Sequence, residues 1–337
     1  MTACTNEVID SHASDALQFE ANIGHSATRA GVAVQNTYFD SGQKVDVFIS
    51  ENGGSTVTYE QPITYSASPS VDAEGFYALA SPQHNLTAIG EVVWPSDDSH
   101  SIDIYAYYPS GKVTNLGAAN SFTVQSEQST TENYRQSDLM AAQTTGVFRQ
   151  KTRVKLTFTH LLTKVIVTLK GDRSLNINHE GWRDGATEEQ QQAAQVEANN
   201  KLVGATVRLL TIKPTLTITK PRTLSAASES QTITVGTIAT GTERVASDDA
   251  TSAWQIACII PPQEIEAGTA FIQVTMADGG VLTYKPDAKC TFTSTKVNTY
   301  NMTVHAKELT LTGNPTIDPW TVGDTDQGHE TQPVITL

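Results

Sequence analysis

The sequence predicts an all-β protein, because apolar residues recur with a period of two and the alternating segments are rich in strand-favouring Thr, Val, Ile and Tyr. Clusters of Gly, Pro, Asn, Asp or Ser separate these segments. Helical patterns do not recur between them, which favours antiparallel β-sandwiches over a parallel α/β sheet. The predicted strands are KVDVFIS (44–50), SIDIYAYYP (101–109), RVKLTFTHLLTKVIVTLK (153–170), GATVRLL (204–210), QTITVG (231–236), TAFIQVTM (269–276), GGVLTYKP (279–286) and NTYNMTVHAKELTL (298–311).

The chain of 337 residues is long for a single core and suits two domains. The segment 125–138 has the most loop-like composition in the middle of the chain, so we expect the boundary shortly after it, near 145–155. One segment departs from the strand pattern. Residues 184–202 are rich in Ala, Glu and Gln, and predict a short helix or a polar excursion with too few apolar positions for a core helix.

The net charge of -14 argues against nucleic acid or anionic lipid as a partner, because an acidic surface gains no counterion-release energy there. The sequence contains no apolar run of membrane-spanning length. Any attachment to a membrane is therefore expected to go through a lipid.

Three cysteines are too few for a disulfide scaffold. Cys258 and Cys290 lie in strand-like segments, and two interpretations stay open for them: buried thiols, or a disulfide between the two. Cys4 follows the small residues Thr2 and Ala3, as the lipidated cysteine of a bacterial lipoprotein follows small residues at the signal-peptidase site. We expect Cys4 to be lipidated, with Met1 in place of the natural leader; a cysteine without function is the alternative.

Signatures of enzymes are largely absent from the sequence. His179 and Glu180 lack the second histidine of a zinc-protease helix. Asp324, Asp326 and His329 lie close together, but without the full ligand spacing of a calcium loop. The sequence contains no nucleophile elbow, P-loop or dinucleotide fingerprint. We therefore expect a protein that is not an enzyme, with no catalytic residues, cofactor or metal.

The N-terminal region carries the most informative pattern. Leu17, Phe19, Ala21 and Ile23 alternate with polar residues, which predicts a strand with one apolar and one wet face. The small, polar stretch GHSATRAG (24–31) follows, and Arg29 within it is the first basic residue of the chain. Proteases cut exposed loops of this composition. Cleavage after Arg29 would remove the strand and open an apolar groove edged by unpaired backbone groups, which is a template for another strand.

The C-terminus offers a candidate for that replacement strand. A polar leash, TDQGHETQ (325–332), leads to the short apolar end PVITL (333–337). Val334, Ile335 and Leu337 are the residues that we predict to enter the groove of a neighbouring subunit, with Pro333 at the strand's start because it lacks a backbone donor. An ordinary ragged terminus is the alternative.

An ordered set of segments resembles the fimbrillins of Bacteroidales, the subunits of type V pili. The resemblance covers residues 16 to 325. Its segments are TRA (28–30), IDIYAYYP (102–109), FTVQSEQST (122–130), SDLMAA (137–142), LTFTHLLTKVIVTLK (156–170), GATVRL (204–209), IIPPQ (259–263), TFTSTKVNTYNMTV (291–304) and IDPWTVGD (317–324). Two departures are the doubled Pro261 and Pro262 and the excursion at 184–202.

The resemblance implies two transthyretin-like antiparallel β-sandwich domains with Greek-key-type connections. It implies a lipoprotein precursor, lipidated on Cys4 at the outer membrane and matured by an arginine-specific, trypsin-like protease at the Arg29–Ala30 bond. A donor strand from another subunit would then replace the first strand in a cell-surface fimbrium. The expected division is 1–29 leader and removable strand, 30–150 and 151–325 sandwich domains, and 326–337 candidate donor strand.

Two other classes of function stay open. The first is a non-polymerising tip adhesin or surface lipoprotein that binds host protein or glycan through exposed aromatic residues. Phe76, Tyr77 and Trp94 are candidate carriers, although the sequence favours a core role for them. The second is a hydrolase with a sandwich fold, which would need a cluster of perturbed carboxylates in a cleft.

Overall fold

The all-β prediction is confirmed, since β-strands dominate the fold. Every strand predicted from alternation within the described residues is present. The transthyretin-like and Greek-key details stay predictions. The computed structural model describes residues 17–23, 39, 42–51, 56–57, 62–71, 77–80, 92, 94–95, 99–219, 223–226, 229–246 and 252–320.

Up to residue 160, the described segments form nine strands and one helix. They are β1 (Phe19–Ile23), β2 (Lys44–Glu51), β3 (Thr56–Val57), β4 (Ile63–Val71), β5 (Tyr77–Ala80), β6 (Ile102–Tyr108), β7 (Asn120–Thr123), α1 (Thr131–Ser137), β8 (Met140–Val147) and β9 (Val154–His160).

The rest of the described chain contains fourteen strands and a longer helix. They are β10 (Thr163–Gly171), α2 (Glu188–Asn200), β11 (Thr206–Ile212), β12 (Thr215–Thr219), β13 (Thr223–Ala226), β14 (Gln231–Thr237), β15 (Arg244–Ala246), β16 (Ser252–Ile260), β17 (Gln263–Ile265), β18 (Ile272–Thr275), β19 (Val281–Tyr284), β20 (Cys290–Phe292), β21 (Lys296–Val304), β22 (Leu309–Leu311) and β23 (Thr316–Pro319).

The chain divides into two compact units. Among the described residues, the first unit comprises the segments up to Leu116 together with Ala141–Thr159, and the second comprises Gly117–Met140 and the chain from His160. The domain boundaries expected from the sequence, at 30–150 and 151–325, stay a prediction.

The first unit is built on one eight-stranded sheet. Its strand order is β3-β2-β4-β5-β1-β9-β8-β6, and β6 also pairs with β2. The pairing between β2 and β6 closes the strands from β2 to β6 of this order into a ring. Among the described strands, β3 pairs only with β2 and lies outside the ring. Aromatic side chains fill the interior: Phe19 meets Tyr65 edge-on at 5.2 Å, and Phe39 meets Phe158 in the same way at 5.2 Å.

The second unit contains four sheets among the described residues. A six-stranded sheet has the order β15-β16-β10-β21-β22, with β23 also paired to β21. The others are β14-β11-β18-β19, β13-β12-β7 and β17-β20. Trp254, Phe271 and Tyr300 are almost completely buried and are among the largest side chains of this core.

Strand β10 is the centre of the six-stranded sheet. It pairs in parallel with β21 from Thr163 to Gly171, and antiparallel with β16 from Thr163 to Leu169. Both of its faces are covered, so that Lys164 is buried at 4% exposure. Burial lowers the pKa of Lys164 to about 8, while the negative charges of Asp138 and Glu243 oppose the shift.

The segment 184–202, for which the sequence predicted a short helix or a polar excursion, contains the helix α2. Thr187 and Gln190 form a reciprocal capping box at its start. Only Ala194, Ala198 and Asn199 are buried, which agrees with the expectation of a helix outside the main core. The end of α2 is fastened to the six-stranded sheet, because the Trp254 indole donates to the Asn199 carbonyl at 2.8 Å.

A short helix was missed at 131–137, inside the segment predicted to be a loop. Thr130 caps α1 by accepting a hydrogen bond from the Asn133 backbone at 3.2 Å. Seven residues are too few for a stable isolated helix, so α1 depends on tertiary contacts of its buried residues Tyr134 and Ser137.

Cys258 and Cys290 are free thiols and both are buried. The interpretation as buried thiols therefore holds in this structure, and burial raises the pKa of both. Neither of the α-helices in the described chain combines the length and the apolar character needed to cross a bilayer.

We expect Gly171→Ala to destabilise the protein, because a Cβ at Gly171 would overlap the backbone carbonyl of Ala198 in α2. Overpacking of this kind costs about 1–3 kcal/mol, and thermal denaturation measures it. The matched control is Gly241→Ala, since Gly241 has open space around the Cβ position and should change stability by less than about 0.5 kcal/mol. Equal losses in the two variants would contradict the close packing of β10 on α2.

A pH-dependent contribution to stability is expected at Asp172. Burial acts to raise the pKa of this carboxyl, but hydrogen bonds from Ser174 and the contact with His305, at 3.2 Å, lower it below its usual value of 3.8. The stabilisation is therefore complete above the unfolded pKa and is lost as pH falls through the lowered folded pKa.

Asp172→Asn retains the cap and removes the charge, so urea denaturation should show a loss of about 0.5–1 kcal/mol at neutral pH that shrinks toward about pH 3. A difference that is constant across this range would contradict the role of the charge.

Candidate functional site

Strand β1 and the two strands that flank it form the candidate functional site. In the eight-stranded sheet, β1 lies between β5 and β9. It runs antiparallel to β5, with Glu20 opposite Ala78, and parallel to β9, with Phe19 opposite Val154 and Ile23 opposite Phe158. Strand β1 therefore fills a gap between two strands that are both remote from it in sequence.

The chain just before β1 extends this pairing. The Leu17 N–H donates to the Val92 carbonyl at 2.7 Å, and the Val154 N–H donates to the Gln18 carbonyl at 2.8 Å. The backbone of residues 17 to 23 is thus bonded on both sides. Removing the segment would leave two open strand edges.

The side chains predicted to plug the groove are all buried. Leu17 is 4% exposed, Ile23 is 1% exposed, and Phe19 and Ala21 are fully buried. Burial of the three large side chains contributes about 1.5–3 kcal/mol each, which is an upper estimate. The segment therefore accounts for a large part of the stability of an ordinary domain.

The residues of β9 opposite β1 are also apolar and buried. Val154, Leu156 and Phe158 pair with Phe19, Ala21 and Ile23, and each is at most 2% exposed. Since residues paired across parallel strands share a face, these side chains line the groove beside β1. The alternation VKLTFT in β9 was a sequence signal for this lining, but its partner strand could not be identified from the sequence.

The wet face predicted for β1 is wrong at one position. Asn22 is only 5% exposed, and its Oδ1 has no hydrogen-bond partner among the described residues. Glu20 is partly covered, with Lys155 4.0 Å away. The second face of β1 is therefore covered progressively along the strand, since Gln18 is exposed, Glu20 is half-buried and Asn22 is buried.

Several of the predicted site residues lie outside the described residues. They are Cys4, Arg29, Ala30, Val334, Ile335 and Leu337, together with the acidic loop at Asp324 and Asp326. Of the aromatic residues proposed for an adhesin, Trp94 is buried at 4% exposure, Phe76 lies outside the described residues, and the backbone of Tyr77 belongs to β5.

A buried pair formed by His160 and Asp138 is the described cluster most similar to a catalytic arrangement. The His160 Nδ1 and Asp138 Oδ1 atoms are 2.7 Å apart, with the side chains 3% and 0% exposed. The His160 ring stacks on Trp320, with the ring centres 3.8 Å apart. Both side chains are enclosed, which indicates a structural role. In the described part of the chain, no group of His, Cys, Asp or Glu could hold a metal ion.

Structural comparison finds several crystal structures with a similar fold. A candidate cell adhesion protein from Bacteroides uniformis is 17% identical, with a TM-score of 0.60 over 91% of this chain and 98% of that chain. Another, from Bacteroides ovatus, is 17% identical, with a TM-score of 0.59 over 93% of this chain and 100% of that chain. At this level of identity, the likeness concerns the fold.

Sequence comparison finds no match among curated proteins. A family model does match: the model described as fimbrillin-like covers residues 28–320. This range includes every described residue except those of the segment 17–23, which contains β1. The protein therefore belongs to the fimbrillin-like family.

Proposed function

We propose that the protein is a structural, non-enzymatic subunit of a cell-surface type V pilus, which polymerises by donor-strand exchange and supports adhesion. In this proposal the precursor is lipidated on Cys4, and an arginine-specific protease cleaves it between Arg29 and Ala30. Cleavage releases β1, and the C-terminal strand of another subunit takes its place.

The position of β1 carries the proposal. It lies near the start of the chain, ahead of Arg29, yet it occupies an interior position of the sheet. Its two neighbours, β5 and β9, hold it by backbone pairing and do not connect to it directly in sequence. One cut in residues 24–31 is therefore enough to separate β1 covalently from the rest of the fold.

The emptied groove would be apolar, and the backbone groups along its two edges would have no hydrogen-bond partners. Val154, Leu156 and Phe158 would lose their cover, and the facing edges of β5 and β9 would lose their partners. An extended segment with alternating apolar residues satisfies both needs at once. The end of the chain has this pattern, with Ile335 and Leu337 two residues apart.

The length of the missing strand sets the requirement for the donor. Strand β1 makes five residue pairs with β9, and the segment PVITL offers five residues, of which four carry a backbone N–H. Because Pro333 has no N–H, it fits only at the start of the donor, which leaves Val334 to Leu337 for backbone pairing. Attachment to the outer membrane would come from the lipid on Cys4.

We expect cleavage after Arg29 to trigger polymerisation. An arginine-specific protease is added to the full chain, followed by intact mass and a denaturing gel run without boiling. A detergent-resistant ladder should form from the natural sequence and not from Arg29→Ala. Intact mass is required because the exposed loop between β8 and β9 carries Arg153. Clean cleavage after Arg29 without a ladder at high concentration would contradict polymerisation, and absence of that cleavage would contradict the maturation step.

We expect Phe19→Ala to destabilise the precursor by about 3–5 kcal/mol, because it leaves a cavity at a fully buried position. The same substitution should not affect the processed protein, since β1 is then absent. Phe158→Ala is the matched control: Phe158 lies on β9 and stays in place, so it should destabilise both forms. Thermal denaturation before and after cleavage tests this, and a Phe19→Ala precursor that melts like the natural one would contradict the role of β1.

A further inference from the structure

A small cleft in the second unit is lined by no residue of β1, β5 or β9. It has a volume of about 240 Å³, and its walls come from the start of α1, from β14 and from β16. None of its lining side chains carries a formal charge at neutral pH. Gln128, Ser129, Tyr134, Gly236 and Ala257 are among the lining residues.

One wall of the cleft is the outer edge of β16. On its other edge β16 pairs with β10. At the outer edge, the Gln255 N–H donates to the Glu243 carbonyl at 2.9 Å. Further along, the Gln128 side-chain amide bonds twice to Ile259: its Oε1 accepts from the Ile259 N–H at 2.8 Å, and its Nε2 donates to the Ile259 carbonyl at 2.8 Å.

Ala257 lies midway between these two bonded residues. Because backbone groups of alternate residues point to the same edge of a strand, the N–H and C=O of Ala257 point outward, as those of Gln255 and Ile259 do. Nothing in the described part of the chain bonds to them at this edge, and Ala257 lines the cleft. The cleft therefore presents one backbone donor and one backbone acceptor with a spacing that fits an amide group. The same spacing is seen at Ile259, two residues further along β16, where the donor and acceptor bind the Gln128 amide.

We propose that this cleft binds an N-acetylated amino sugar, whose acetamido group pairs with the N–H and C=O of Ala257. The volume lies below the usual range for drug-sized ligands and suits one sugar ring. The hydroxyl of Ser129, at the exposed rim, is placed to meet ring hydroxyls. The uncharged lining offers no ion pair for a charged ligand.

The same edge excludes the most obvious alternative occupant, an added peptide strand. Strand addition uses several consecutive outward-facing positions. Those on either side of Ala257 are already taken, by Glu243 at Gln255 and by Gln128 at Ile259. Only one amide-sized position is left.

Tyr134, on the α1 side of the cleft, adds no charge to its lining. Its ring lines the cleft and its hydroxyl is buried. Burial raises the pKa of Tyr134 well above its usual value, and the nearby charge of Asp138 adds to the shift. The tyrosine therefore stays protonated at every pH used for binding measurements.

This inference goes beyond the proposed function and does not depend on it, because the uncleaved monomer contains the complete cleft. Titration of N-acetylglucosamine and N-acetylgalactosamine into the full chain, followed by saturation-transfer NMR and calorimetry, tests it. We expect saturation of the acetyl methyl group and a dissociation constant on the order of 1 mM for at least one of them. Glucose and galactose, which lack the acetamido group, should bind at least tenfold more weakly.

Two substitutions connect the binding to this cleft. A Cβ at Gly236 would lie 3.9 Å from that of Ser129, an ordinary contact, so the first atom that Gly236→Val adds meets no clash and the valine side chain narrows the cleft. Ser129→Leu changes the exposed rim. Both should weaken sugar binding at least tenfold with an unchanged melting temperature, and Thr291→Val, at an exposed position of β20, should not.

Four results would overturn the proposal. The first is that neither acetamido sugar binds. The second is that binding is unaffected by both Ser129→Leu and a folded Gly236→Val. The third is equal affinity for the sugars with and without the acetamido group, which would show that Ala257 does not recognise an amide. Tighter binding of a glutamine-bearing peptide than of either sugar would likewise reject it, in favour of a protein ligand.

Discussion

The pairing of β1 on both of its edges is the interaction on which the first unit depends. A strand in the interior of a sheet satisfies its own backbone groups and those of two neighbours, and unpaired groups in a buried place are costly. Here the strand that closes the gap between β5 and β9 comes from the first residues that the structure describes. The sheet is complete only while that segment stays in place.

This constraint explains why the proposed cleavage would change the structure of the first unit and would not merely shorten the chain. Loss of a surface tail changes little in a fold. Loss of β1 would uncover Val154, Leu156 and Phe158 and two strand edges together. The apolar surface and the hydrogen bonds select the same kind of replacement, an extended segment with alternating apolar residues.

The second unit meets the same problem at the outer edge of β16, and solves it differently. There the short strand β15 covers only part of the edge, and single groups from Glu243 and Gln128 cover two further positions. The position between them, at Ala257, is too short for a strand and large enough for one amide. A gap that β1 fills and a single position that is left unfilled thus favour different occupants: an exchangeable strand in the first unit and a small ligand in the second.

The sequence by itself determined the all-β class, the strands with clear alternation, the departure from the strand pattern at 184–202 and the apolar face of β1, because these follow from local periodicity and residue type. It could not determine that β9 is the parallel partner of β1, that Asn22 is buried, or that Gln128 closes the edge of β16. These facts depend on pairing between residues far apart in the chain, which the local alternation of apolar and polar residues does not reveal. Helix α1 was missed for the same reason, since seven residues become helical only when Tyr134 and Ser137 are packed. What the tertiary structure alone decided is which edges are filled and by what, because hydrogen-bond satisfaction of a strand edge is a property of its neighbours in space.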